Sequence, residues 1–351
     1  MGFTYESLPG RVVFARGGAA EQLESELERL GVTNVMLIAT RSEISRSSSL
    51  IQHISQRVGS VFSEVEQHVP AATAVAAREL AASTQADGLV CIGGGSTTGT
   101  AKIVALTSGL PIIAVPTTYA GSEATPVWGM TTDARKETGR DVAVLPRSIV
   151  YDSELTQSLP VELAIASGFN ALAHCVEAFW APGANPVTSL HAAEGIRVLA
   201  AAMVAVATGE PTETDCDDFL YGAYLAGSSL AVAGSGLHHK ICHALGGAFD
   251  LPHAETHAVI LPWVLEFNAP AVPDAADRIT EALGVEDAVA GLAELNRELG
   301  APNTLSRIGL RPDQLEEAID IVSAILPIPN PRPVERADIA AILTSAYGPQ
   351  E

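Results

Sequence analysis

Five of the nine histidines, His238, His239, His243, His253 and His257, fall between residues 238 and 257, and the other four are scattered over the rest of the chain. Imidazole titrates near neutral pH and ligates divalent metals, so the cluster points to proton transfer, carbonyl polarisation or metal binding. His239 and His243 are four residues apart and share one face of a helix. His253 follows Pro252 in the next connection, placed to turn back toward that face. Upstream, Asn170 and His174 repeat the four-residue spacing within GFNALAHCVEA. Two helices then bring His174, His239 and His253 around one point, a workable divalent-metal geometry. Asn170, which would complete that set, is a neutral amide and a poor ligand for iron or zinc.

A different chemistry is written in GGGSTTG, Gly93 to Gly99, directly after the apolar run Gly88 to Ile92. Glycines at a strand-to-helix junction let the backbone approach a ligand, and the free N–H groups of a helix N-terminus hold a pyrophosphate. The register is not GxGxxG, because Thr98 takes the third glycine position, and not a P-loop, because Thr100 stands where lysine is required. The plainer alternative is a tight turn. A second polar loop, Pro116 to Glu123, follows the next apolar run. Loops after neighbouring parallel strands open on the same sheet edge, so together they suggest a dinucleotide there. The earlier strand ends Ile38-Ala39-Thr40-Arg41, with no acid to hold a ribose 2′-hydroxyl. Arg41 is then a contact for NADPH, used as well as NADH, or else a solvated surface residue.

The elements behind these motifs change character midway. Up to residue 155, short β-rich runs (Val12 to Phe14, Val35 to Ala39, Gly88 to Ile92, Ile112 to Val115, Ile149 to Tyr151) alternate with helical stretches, the pattern of parallel βαβ units. From 156 to 351 the chain reads as successive Ala- and Leu-rich helices with no convincing β-run. The expectation is an α/β dinucleotide-binding domain over 1–155 and an all-α catalytic domain over 156–351.

With 41 acidic against 20 basic residues the net charge is −21. Such a surface repels phosphate backbones and anionic lipid, which argues against nucleic-acid and membrane partners. The longest apolar stretch, Val198 to Thr208, is half of what a membrane span needs. Cys91, Cys175, Cys216 and Cys242 form no CxxC pair and the N-terminus lacks the pattern of a signal peptide, so a reduced, cytoplasmic setting is expected.

On GGGSTTGTAK, PTTYAGSEATP, GFNALAHCVEA, the segment HHKICHALGGAFDLPHAETHAVILP and NPRP at 330–333, the chain resembles the iron-containing alcohol dehydrogenases, and among them the maleylacetate reductase branch. The resemblance implies an N-terminal dinucleotide domain, a helical C-terminal domain, a cleft between them, and a homodimer. It implies pyrophosphate contacts from Gly94, Gly95 and Ser96, with Thr117, Thr118 and Thr125 on the nicotinamide side. Metal-dependent members use one Asp and three His. His174, His239 and His253 match the histidines, and Asn170 stands in the Asp position, so the site is expected to be vestigial and metal not required.

The implied substrate is maleylacetate, a small dicarboxylate reduced to 3-oxoadipate in aromatic-compound degradation. His243 is the expected general acid, with His239, His253 and His174 polarising the ketone. Lys240 and His238 are candidates for a substrate carboxylate, although helical spacing turns Lys240 from the His239/His243 face. His257 adds a donor where alcohol dehydrogenases carry Asn. The window 238–257 is therefore expected to be a cationic patch. Competing readings are a metal-dependent alcohol dehydrogenase, an NAD-using sugar-phosphate cyclase, which three lysines in the whole chain disfavour, and a non-catalytic NAD-binding regulator.

Overall fold

The computed structural model describes residues 2–132 and 135–348. The chain forms two compact units, one spanning Leu8–Leu159 and the other Pro160–Glu351 together with the first seven residues. The division falls a few residues beyond the expected boundary at 155, and residues 1–7 group with the helical unit.

The Leu8–Leu159 unit runs β1 (Arg11–Phe14), α1 (Ala19–Leu30), β2 (Val35–Ile38), α2 (Arg41–Arg46), α3 (Ser48–His53), β3 (Val58–Phe62), α4 (Ala71–Ser83), β4 (Gly88–Gly93), α5 (Gly95–Ser108), β5 (Ile112–Pro116), β6 (Val127–Thr132), β7 (Arg135–Arg140) and β8 (Ser148–Tyr151). Six strands make a sheet in the order β1-β8-β5-β4-β2-β3, and every pairing in it is parallel. Its central strands are buried on both faces, β2, β4 and β5 throughout their length, which is why they read as continuous apolar runs. One layer packs Leu23, Leu27, Leu37, Val90 and Val115 together, and the other Met36, Ala77, Leu89, Ala101 and Ala114. Three strands were not anticipated. β3 is an edge strand broken by Gly59 and Ser60, and β6 and β7 pair with each other as an antiparallel hairpin.

The Pro160–Glu351 unit is helical: α6 (Val161–Ala178), α7 (Pro186–Ala207), α8 (Glu213–Ala233), α9 (Leu237–Phe249), α10 (His253–Asn268), α11 (Pro273–Leu283), α12 (Ala288–Glu298), α13 (Leu315–Ser323) and α14 (Arg336–Tyr347). Helix starts follow local chemistry. Asn185 and Thr188 form a capping box at α7, and Thr212 and Asp215 form one at α8. α7 has the length and apolar composition of a membrane span, more than the Val198 to Thr208 stretch suggests. Its Ala192, Ile196, Leu199 and Met203 are nonetheless buried inside the unit. α9 stops at Asp250, held at φ 54°, and after buried Leu251 the next helix begins at His253. His253 thus opens α10 rather than lying in a connection.

Candidate active site

In the α/β unit, β4 ends at Gly93 and α5 begins at Gly95, and no side chain caps α5. The first N–H groups of a 14-residue helix are therefore left for a ligand or water. The turn demands its glycines. Gly93 has φ 148°, and a Cβ there would stand 2.6 Å from Thr97 Oγ1. A Cβ on Gly94 would stand 2.9 Å from Thr118 Cγ2, so the two polar loops touch at the sheet edge. A cavity of about 230 Å³ opens here, lined by Thr40, Glu43, Val65, Glu66, Gln67 and residues 94–97.

These features fit a dinucleotide: an uncapped helix start, a backbone cradle that a side chain would fill, and a cavity beside it. Gly94, Gly95 and Ser96 sit in the cradle, half-buried. Thr117 is buried, and Thr118 Oγ1 is a buried hydroxyl without a partner. Thr125 is also buried, with its hydroxyl donating to Ser122 O and accepting from Lys102. Arg41 opens α2 and is 80% exposed, paired at 2.7 Å with surface Glu64. The sequence reading overlooked Glu43 and Glu66, which line the cavity. Burial raises the Glu43 carboxyl, although Arg46 and Thr117 oppose the shift.

In the helical unit three helices converge on the histidines. α6 presents Asn170, His174 and Glu177, α9 presents His238, His239 and His243, and α10 presents His253 and His257. His239 lies between its neighbours, with ring centroids 5.0 Å from His174, 4.8 Å from His257 and 6.1 Å from His243. His253 stacks on His243 at 5.9 Å and meets His257 edge-on at 4.5 Å. His174, His238, His239 and His257 are buried, whereas His243 and His253 are half-exposed and in reach of solvent. Lys240 is half-buried and pairs with no carboxylate among the described residues.

The organising residue is one that the sequence reading left unassigned. Glu177 is fully buried; Oε1 accepts the His238 backbone N–H at 2.8 Å, and Oε2 faces His239 Nδ1 at 2.5 Å. It thereby caps the N-terminus of α9 from a neighbouring helix, where the helix dipole favours a negative charge. Burial raises its carboxyl, but His239 and further hydrogen bonds outweigh that and hold it below the ordinary range. The available signal was its position three residues after His174, on the same helical face.

A second pair forms where His238 Nε2 meets His257 Nδ1 at 2.8 Å. His239 Nε2, His257 Nε2, His238 Nδ1 and His174 Nδ1 remain buried without hydrogen-bond partners. Buried polar nitrogens are rarely left so unless a ligand or water meets them.

The expected cationic patch is corrected. Burial, followed by repulsion from neighbouring imidazoles, pushes His174 and His257 well below the usual imidazole range and His238 down to about 3. These three rings are neutral at neutral pH. Sequence counts them as latent cations, but a closed cluster cannot hold several adjacent charges.

Two groupings bear on metal. His238, Cys242 and His257 offer ligand atoms within 4.8 Å of one another, yet the two imidazoles share a hydrogen bond, and burial holds the Cys242 thiol protonated. Asn170, His174, His239 and His253 bring no negative charge, since the nearby carboxylate of Glu177 is engaged by His239 and the His238 amide. The residues present do not make a one-Asp, three-His ligand set.

Comparison with known proteins accords with both halves. Residues 9–153 match the family model for iron-containing alcohol dehydrogenase, and residues 164–347 match the Fe-containing alcohol dehydrogenase family, C-terminal. The chain is 44% identical to the maleylacetate reductase of Burkholderia cepacia, over 98% of this chain and 97% of that one. A crystal structure of an iron-containing alcohol dehydrogenase from Corynebacterium glutamicum superposes with TM-score 0.94 at 47% identity, covering 99% of this chain and 97% of that one. The maleylacetate reductase of Agrobacterium tumefaciens superposes with TM-score 0.93 at 38% identity, covering 99% and 98%. The chain therefore belongs to the iron-containing alcohol dehydrogenase family.

Proposed function

We propose that this chain is a maleylacetate reductase that uses NADH or NADPH and needs no catalytic metal. The observation that carries the reading is the cluster of five imidazoles gathered about His239, with Asn170 where a ligating carboxylate is expected. The reductases of the same name at 44% and 41% identity over nearly the whole chain support it.

When bound, the reduced dinucleotide supplies a hydride to the alkene carbon β to the ketone, and the enolate takes a proton to give 3-oxoadipate. The protein's own part is to bind the dicarboxylate, stabilise the enolate oxygen and deliver that proton. His257 Nε2, buried and unmet, donates to a substrate oxygen when His257 Nδ1 accepts from His238 Nε2, and His239 Nε2, whose ring gives its Nδ1 proton to the Glu177 carboxylate, is the acceptor for a bridging water. His174 and His253 complete the ring around them. His243, half-exposed and stacked on His253, can exchange protons with solvent and serves as the general acid. Lys240 and His238 remain the candidates for a carboxylate; His238 Nδ1 carries a proton for that task in the alternative tautomer, with His238 Nε2 accepting from His257 Nδ1, so the two rings donate to substrate in alternation and not together.

Arg41 can exchange its surface partner Glu64 for a 2′-phosphate, which underlies the use of both cofactors. The four cysteines are free thiols, in keeping with a reducing, cytoplasmic setting, and the homodimer is proposed on the family resemblance. Absorbance of NADH with maleylacetate tests the reading. Rapid oxidation supports it, comparable efficiency with NADPH supports the Arg41 assignment, and a preference for NADH of several hundredfold overturns that assignment. A second reading, a metal-dependent alcohol dehydrogenase, is favoured by the carboxylate behind His239 and by the name of the structure at 47% identity. Stoichiometric iron or zinc, activity lost on chelation and turnover only with simple aldehydes would establish it.

A further inference from the structure

Lys102 belongs to none of the chemistry above, yet it is 1% exposed on α5. Burying an ammonium costs far more than burying an aliphatic side chain, so a lysine here needs a task that methionine or leucine could not perform. Its surroundings supply one. Nζ lies 2.7 Å from Ser122 O, 2.8 Å from Thr125 O, 3.0 Å from Thr125 Oγ1 and 2.8 Å from Val127 O. Four acceptors converge on three N–H donors, a cage suited to an ammonium and too rich for a neutral amine. Every acceptor belongs to the segment that leads from the loop after β5 into β6.

We propose that Lys102 is a positioning residue for the dinucleotide: it pins residues 122–127 and so holds residues 117–120 against the glycine cradle. The loop it holds borders that cradle directly. Thr118 lies against Gly94, and a Cβ on Gly95 would meet Ala120 at 3.8 Å. Gly121, at φ 70°, is the bend between the two stretches. Fixing 122–127 therefore fixes the wall on which Thr118 stands. The inference rests on the dinucleotide reading of the α/β unit.

The cage also makes the wall sensitive to pH. Burial pulls the Lys102 ammonium down to about 7 against the opposing pull of Glu123 and Cys91. Burial raises the Glu123 carboxyl, which accepts from Tyr151 at 2.7 Å, and the Cys91 thiol is pushed up to about 12. Below about 7 the Lys102 ammonium fills the cage. Above it the amine keeps two N–H groups, carbonyls lose their donor, and the segment loosens.

The test is NADH affinity of the full chain, read by fluorescence from about pH 6 to about pH 8.5, for wild type and Lys102→Met. Wild type is expected to weaken as pH rises through neutrality. The variant is expected to bind about tenfold more weakly at the acidic end and to show no such pH dependence, with the loss in turnover falling on KM for NADH rather than on kcat. Equal affinity in the two proteins, or the same pH profile in both, overturns the proposal. If the variant does not fold, the wild-type profile decides, and a flat one overturns it. Wild type that binds no NADH at any pH would instead overturn the dinucleotide reading.

Discussion

Glu177→Gln is the sharpest perturbation of the histidine cluster. Oε1 is tied by the His238 backbone N–H and Oε2 faces His239 Nδ1. Glutamine keeps the shape, and its one oxygen is held by the same backbone N–H. The amide NH2 then takes the place of Oε2, so His239 Nδ1 meets a donor where it had an acceptor. The ring must accept at Nδ1 and carry its proton on Nε2, the buried nitrogen left open toward the site. A hydrogen bond to a charged group is worth about 1.5–3 kcal/mol, which converts to a loss in kcat of about 10- to 150-fold at about 1.4 kcal/mol per decade. The assay is steady-state oxidation of NADH with maleylacetate, with thermal unfolding as the control for an intact fold. A kcat within about threefold of wild type in a variant of unchanged stability would refute the role given to Glu177.

His243→Ala should lower kcat by at least ~100-fold, the low end for loss of a general acid, and a near-wild-type rate rejects the assignment. Asn170→Asp puts a carboxylate beside His174 on α6, and it should raise the zinc or iron retained after gel filtration. Unchanged metal content would mean that the amide is not what limits binding. Gly94→Ala forces a Cβ to 2.9 Å from Thr118 Cγ2 and should weaken NADH binding by about tenfold, with KM for maleylacetate unchanged.

Sequence was most legible where one force dominates. β4 and β5 read correctly because both faces are buried and their runs are apolar throughout. The histidine cluster was visible because helical spacing alone aligns His239 with His243. β7, with the sequence RKETGR, has no apolar signal, since its partner β6 supplies the reason for its extension. His253 was misplaced by one element because Asp250 in a left-handed conformation shortens the α9–α10 connection, and no composition rule marks that. The sign of the charge was the deepest miss. Histidine content can be counted, but the burial that neutralises His174, His238 and His257 exists only after three helices have closed around them.

The division of the chain also bears on synthesis. Leu8–Leu159 is one continuous stretch, whereas the helical unit draws on both the first seven residues and everything after Leu159. The sheet of the Leu8–Leu159 unit has a long-range constraint, because edge strand β1 pairs with β8, the last strand made. Once β8 has left the ribosome, the α/β unit has every partner that it needs, and N-terminal domains commonly fold as they emerge. At that moment the segment from His238 to His257 has not been made, and helix α14, which packs into the helical core, is the last helix to appear. A released chain ending at residue 159 is therefore expected to own a nucleotide cradle while lacking every histidine assigned to the reaction.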